Sequence, residues 1–247
     1  MLESSIKEAI TRWRAENGFL KLPLRAALID MDGVLYDSMK YHTLAWQKMM
    51  SEQGVECSRD EFYLYEGMTG AATISLLMAR NGRPELSDEE VKRLYAIKTE
   101  YFRQLGKKET MPGADRMLEV LRKRGIKRVL VTGSAQSSLI NALAEDYPGA
   151  FLPGMMVTAL DVNHGKPHPE PYLRGLEKAG VNDARTIVIE NAPLGVRAGR
   201  ASGCFTVAVT TGPVPREAFV DSGANLIFPS MNEFADALPT LIDIFDE

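Results

Sequence analysis

Cysteine is nearly absent from this 247-residue chain, which carries only Cys57 and Cys204. Two thiols so far apart exclude a disulfide framework and a zinc knuckle. Long apolar runs are missing too, since none approaches the ~18 residues of a membrane span. No block of like charge occurs, and the net charge is −4. That balance argues against nucleic acid as the main partner, but leaves room for a locally cationic pocket that takes a small phosphorylated molecule. Near the start stand Glu3, Lys7 and Glu8 rather than a basic region followed by an apolar core. No signal peptide is therefore expected, and the expected compartment is the cytoplasm. What remains is ordinary for a soluble globular protein, with 45% hydrophobic and 25% charged residues. The length suits one large domain or two smaller ones and is compatible with a monomer.

Periodicity divides the chain. Residues 4–17 read as an amphipathic helix, with Ile6, Ala9, Ile10 and Trp13 on one face and Gly18 as its stop. Leu24 to Ile29 reads as the first strand, and its apolar run Ala26 to Ile29 has the pattern of a strand buried on both faces. Helical patterns then succeed one another over 39–53, 58–65, 69–81 and 87–105, broken at Gly54, Gly82-Arg83-Pro84 and Gly106. Ser58-Arg59-Asp60-Glu61 and Ser87-Asp88-Glu89-Glu90 read as capping boxes. From Met111-Pro112-Gly113 onward, helices at 114–124, 136–146, 169–179 and 192–202 alternate with strands at 128–131, 155–157, 186–189 and 206–209. A last strand at 226–228 precedes a terminal helix from about Met231. The expected fold is α/β: a Rossmann-like parallel sheet with helices on both faces, plus an all-helical insert after the first strand. The expected organisation is an N-terminal helix (1–20), a core (21–37 and 112–247) and a helical cap (38–111).

Ligands of such sheets bind beyond the carboxyl ends of the strands, and the polar clusters of this chain fall there. Asp30 and Asp32 follow the first strand, with Gly33 behind them. Thr132-Gly133-Ser134, Lys166 and Glu190-Asn191 follow the next three strand units. Each alone has a plain reading as a turn, a helix cap or a solvated lysine. Together they supply two acids, a hydroxyl beside backbone donors, a cation, and a further acid with an amide. If Asp30 attacks a phosphate dianion, repulsion at ~4 Å costs about 8 kcal/mol at an effective dielectric near 20, so cations must cancel it. Asp30, Glu190, Asp32 through its carbonyl, and Asn191 are hard oxygen donors suited to Mg²⁺. Lys166 adds a second positive charge, while Thr132, Gly133 and Ser134 can hold phosphoryl oxygens. Asp32 is left to handle protons.

At these residues the sequence resembles the haloacid dehalogenase superfamily. Asp30-Met31-Asp32-Gly33-Val34 looks like its first motif, Thr132 its second, Lys166 its third and Glu190-Asn191 its fourth. The helical insert is similar to the family's C1-type cap. Tyr41-His42 with Trp46, Pro112-Gly113 and Lys166-Pro167-His168-Pro169-Glu170 look like the β-phosphoglucomutase branch. The resemblance implies a mobile cap, Mg²⁺ and an aspartyl-phosphate on Asp30. It also implies that His42 couples cap closure to acid–base function. A mutase cap of this branch presents a Lys-Gly pair and an Arg three residues past the Gly. Here the stretch is Tyr65-Glu66-Gly67-Met68-Thr69-Gly70, so Glu66 replaces the Lys and Gly70 the Arg. A second substrate phosphate would meet an anion there. This stretch, Thr132-Gly133-Ser134 and Glu190-Asn191-Ala192-Pro193-Leu194-Gly195 together resemble the branch's inorganic pyrophosphatases, and the expected substrate is pyrophosphate. Alternatives are β-phosphoglucomutase activity and hydrolysis of small sugar phosphates.

Overall fold

The computed structural model describes residues 2–105, 109–135 and 137–247; the expected break at Gly106 and the expected helix start at Gln136 lie outside the described residues. Helix α1 (Leu2–Asn17) ends at Gly18 and is followed by strand β1 (Ala26–Ile29). Four helices come next without a described strand between them: α2 (Met39–Glu52), α3 (Glu61–Leu64), α4 (Gly70–Arg80) and α5 (Asp88–Leu105). The remainder alternates: α6 (Ala114–Lys123), β2 (Lys127–Val131), α7 (Ser137–Asp146), β3 (Met156–Val157), α8 (Glu170–Ala179), β4 (Thr186–Glu190) and α9 (Pro193–Ala201). It closes with β5 (Phe205–Val209), α10 (Arg216–Asp221), β6 (Leu226–Phe228) and α11 (Met231–Asp246).

The strands form one six-stranded parallel sheet in the order β3-β2-β1-β4-β5-β6. Alternate residues of β1 point to opposite faces. Ala27 and Ile29 join the larger apolar core, which includes α1, α6 and α11, and Ala26 and Leu28 join a second core under α8. Burial on both faces explains why the strands read as unbroken apolar runs. The N-terminal helix packs through Ile6, Ala9, Ile10 and Trp13, as its periodicity requires. Helices α2 to α5 enclose an apolar cluster of their own, centred on Met49, Phe62, Ile74 and Leu94. The two chains linking this cap to the sheet run side by side: Asp37 donates to the Glu109 carbonyl at 2.9 Å and Met111 to that of Leu35 at 2.8 Å.

Both capping boxes form. Ser58 N–H reaches Glu61 Oε1 at 2.6 Å and Glu61 N–H reaches Ser58 Oγ at 3.3 Å; Ser87 and Glu90 exchange the same bonds at 2.8 and 3.3 Å. The helix expected over 58–65 shortens to Glu61–Leu64, because its box sits in the preceding turn. Helix α10 was not expected. With Phe219 as its one buried residue it is too short to show an apolar period.

Candidate active site

Register brings the strand ends level. Ile29 pairs with Leu130 on one side and Ile189 on the other, and the Asp30 N–H continues the ladder to the Ile189 carbonyl at 3.0 Å. Asp30 and Thr132 therefore emerge at the same edge as Glu190, the last residue of β4. This is the point where the strand order reverses between β1 and β4, the usual ligand crevice of such sheets.

Lys166 lies almost wholly buried on the loop between β3 and α8. Its Nζ donates to Asp30 Oδ1 at 2.5 Å, Glu190 Oε1 at 2.6 Å and the Val131 carbonyl at 3.1 Å. Burial alone would discharge this ammonium, but Asp30 and Glu190 outweigh it and hold its pKa above the ordinary value. Asp30 itself is pushed well above the usual carboxylate range, by burial first, with Lys166 opposing and Glu190 adding to the shift. Glu190 is held from every side. Tyr172 OH donates to Oε1 at 2.6 Å, and the backbone N–H groups of Asn191 and Ala192 reach Oε2 at 3.0 and 3.1 Å.

Asp32 has a different set of partners. Ser38 Oγ lies 2.5 Å and His42 Nε2 3.1 Å from its Oδ1. On the other side of the ring, Lys98 Nζ lies 2.6 Å from His42 Nδ1. Lys98 is buried, with the rings of Trp46 and Phe102 5.1 and 5.3 Å from its Nζ. Burial pulls it down to about 7, with Asp32 opposing. His42 is lowered as well, by burial and then by Lys98. The two bases thus lie in contact on the side of His42 away from Asp32, each held below its ordinary value. Burial pushes Asp32 up, but His42, Ser38 and Lys98 overcome it and leave the carboxyl below its ordinary value. The two aspartates that follow β1 are therefore held by separate partners, Asp30 by Lys166 and Asp32 by Ser38 and His42.

The cap covers this edge. Glu66, 8% exposed, accepts a 2.8 Å bond from Asn191 Nδ2. Its carboxyl is pushed well above the usual range by burial and then by Asp30. The loop that carries Glu66 rests directly on the core: a Cβ added to Gly133 would stand 2.7 Å from the Gly67 carbonyl oxygen. Between cap and core lies a cavity of about 70 Å³. Asp30, Asp32, His42, Glu66, Thr132, Gly133 and Ser134 line it, together with Trp46, Tyr95 and Lys98.

Lys166, Glu190 and Asn191 are not part of this lining. Nor are Asp30, Asp32 and Glu190 gathered at ligand spacing around one point; Lys166 Nζ stands between Asp30 and Glu190. The set still fits a hard divalent cation. Asn191 Oδ1 is buried without a hydrogen-bond partner. Buried carboxyls (Asp30, Asp32, Glu66, Glu190) exceed buried lysines (Lys98, Lys166), and a dication would relieve the carboxyls that burial has raised. Sequence reasoning missed Lys98, Ser38 and Tyr172. The readable sign for Lys98 is its position on α5, whose buried residues are Leu94, Lys98 and Phe102, spaced by four. Among the described residues no helix is long and apolar enough to cross a membrane.

A Rossmann-like sheet, a helical cap after β1 and this strand-end constellation define a phosphohydrolase or phosphoryl-transferase enzyme of the haloacid dehalogenase type. The family model for haloacid dehalogenase-like hydrolases matches residues 24–203, and the chain belongs to that family. It is 29% identical over 184 residues to hexitol phosphatase A of Escherichia coli, covering 74% of this chain and 81% of that one. It is 26% identical to β-phosphoglucomutase of Bacillus subtilis over 76% of this chain and 84% of that one. Among solved structures, a provisionally named β-phosphoglucomutase from Bacteroides vulgatus superposes with a TM-score of 0.95 at 43% identity, covering 99% of this chain and 100% of that one.

Proposed function

We propose that the chain hydrolyses inorganic pyrophosphate to two phosphates through a phosphorylated Asp30. A carboxylate oxygen of Asp30 attacks one phosphorus, and the bond from that phosphorus to the bridging oxygen breaks, releasing the first phosphate. Water then attacks the aspartyl-phosphate, Asp32 takes its proton and passes it to a departing phosphate, and the second phosphate leaves with Asp30 and Asp32 both restored. The groups around Asp32 suit this order, since a carboxyl held below its ordinary value is ready as a base. Acid assistance matters less for the first step with pyrophosphate than with a sugar ester, because phosphate is a far weaker base than an alkoxide. Lys166 holds Asp30 in place and offsets negative charge, and Thr132, Gly133 and Ser134 receive phosphoryl oxygens. Asp30, the Asp32 carbonyl, Glu190 and Asn191 would hold Mg²⁺, which supplies the charge neutralisation that lets an anion approach a carboxylate. In this reading 21–37 with 112–247 is the core and 38–111 the cap, which hinges near Asp37–Met39 and Thr110–Gly113, with residues 1–20 packed on the core.

Glu66 carries the choice of substrate. An acid buried against Asn191, where a mutase cap presents a cation, disfavours a second sugar phosphate and suits a small, metal-laden one. Gly70 supports this, because a Cβ there would stand 2.2 Å from the Tyr95 ring and leave no room for a gripping arginine. A second reading, hydrolysis of small sugar phosphates, is favoured by similarity to hexitol phosphatase A and to a Thermotoga maritima phosphorylated-carbohydrate phosphatase. Phosphate release with Mg²⁺ from pyrophosphate, hexose 6-phosphates and β-glucose 1-phosphate tests both. Pyrophosphate should be the best substrate, and Glu66→Gln should lower its kcat/KM by about 10- to 100-fold while changing the sugar phosphates less. Better turnover of sugar phosphates would favour the second reading. Interconversion of β-glucose 1-phosphate and glucose 6-phosphate would make the protein a mutase.

A further inference from the structure

Two of the three histidines of the chain, His164 and His168, lie outside the cavity, on the loop between β3 and α8 that carries Lys166. Their rings are 4.7 Å apart between centroids, and both are exposed. Glu170, the first residue of α8, completes the group; one donor atom from each of the three falls within 4.8 Å of the others. Its carboxylate is anchored by the N–H groups of Asn163 at 3.1 Å and His164 at 2.9 Å, and the His164 ring lies 3.0 Å away through Nδ1. Those bonds keep the carboxyl ionised, down at about 2.

We propose that His164, His168 and Glu170 form a second metal site, for a borderline transition-metal dication such as Zn²⁺ and not for Mg²⁺. Two imidazoles and a carboxylate are the ligand types that Zn²⁺ takes, whereas Mg²⁺ demands oxygen and keeps its waters. The candidate Mg²⁺ ligands at the strand ends are oxygens throughout, so the two centres differ in kind. Around a tetrahedral zinc with bonds near 2.0–2.1 Å, neighbouring ligand atoms lie about 3.4 Å apart. His164 Nδ1 and Glu170 already stand 3.0 Å apart, so the widest spacing in the group must close by at most about 1.4 Å, which rotation of the exposed imidazoles against the fixed carboxylate can supply. His168 Nδ1 now accepts the Glu170 N–H at 3.1 Å. Coordination through that nitrogen exchanges the bond for the metal and leaves the N–H to water at an exposed helix start. A bound ion would tie residues 164, 168 and 170 across the turn that presents Lys166.

The test is a Zn²⁺ titration of metal-stripped wild type against a chromophoric competitor, in saturating Mg²⁺. The same titration is run on His164→Ala, His168→Ala and the double variant, with circular dichroism to show that each is folded. Wild type should bind one more equivalent than the double variant, and each single variant should bind that equivalent at least about tenfold more weakly. Zinc taken up at the strand ends is common to all four proteins and cancels. Equal uptake with equal affinity by wild type and the double variant would overturn the proposal. So would loss of the extra equivalent to Mg²⁺ competition alone.

Discussion

The strand ends and the cap meet at one cavity but place their side chains by opposite means. Asp30, Thr132 and Glu190 each lie within two residues of a strand end or on it, where ladder bonds fix the backbone. His42, Glu66 and Lys98 come from α2, the α3–α4 loop and α5, which meet through the apolar cluster of the cap. A strand-end group is thus in position whether or not the cap is seated. A cap group reaches the core across the boundary between the two, as the His42–Asp32 and Glu66–Asn191 bonds do, and with the hinged cap proposed above it would do so only on closure. The difference suggests a division of labour. The sheet edge holds the reacting carboxylate, and the cap adjusts protonation, fit and access.

The largest effect should follow from breaking the sheet-edge side. Asp30→Asn keeps the shape of the side chain and an acceptor for Lys166 but removes the nucleophile. Phosphate release from pyrophosphate should fall by at least about four decades, with the thermal transition preserved. Retained activity would remove the covalent route, and the comparison would then have assigned the chemistry to the wrong region.

A smaller effect should follow on the cap side at Lys98. In the unfolded chain this lysine titrates near 10.5, and in the folded protein burial brings it to about 7. As pH falls from above 10.5, the unfolded state takes up the proton first, so the folded state loses stability down to about 7 and no further. Lys98→Met should therefore be more stable than wild type at neutral pH, with the advantage gone above 10.5. Its activity should drop by about a hundredfold, because the titrating group that contacts His42 behind Asp32 is lost. A limb near pH 7 in the wild-type kcat/KM profile should be missing from the variant. Thermal melts across pH and a pH–rate profile separate these outcomes. Equal loss of stability and activity would make Lys98 a mere structural filler.

The same contrast explains what was legible beforehand. Strand-end groups are local in sequence, so apolar runs followed by Asp30, Thr132 and Glu190 were readable, and the parallel sheet with them. The relay to Asp32 was not, because Lys98 is 56 residues from His42 and joins it only when α2 packs on α5. Tyr172 sits on the buried face of α8 and reads as packing until Glu190 is placed beside its hydroxyl. Glu66 was expected to face the site from the cap. Its deep burial and its bond to Asn191 join positions 125 residues apart, which no local pattern encodes.

Closure itself offers the mildest perturbation, at Gly133. Its backbone does not occupy the left-handed region, so alanine imposes no conformational strain there. The added Cβ would instead stand 2.7 Å from the Gly67 carbonyl oxygen and 3.0 Å from that of Met68, both on the cap loop. With the cap lifted the methyl meets nothing on that loop; with the cap seated the loop must retreat. Gly133→Ala should therefore leave the melting temperature near that of wild type and reduce kcat/KM by about tenfold, in line with the cost of sub-ångström misplacement in a closed site. Faster hydrogen exchange in the cap loop should accompany the loss. A variant with wild-type kinetics would mean that the cap need not seat against Gly133 during turnover, and that the sheet edge does more of the work alone.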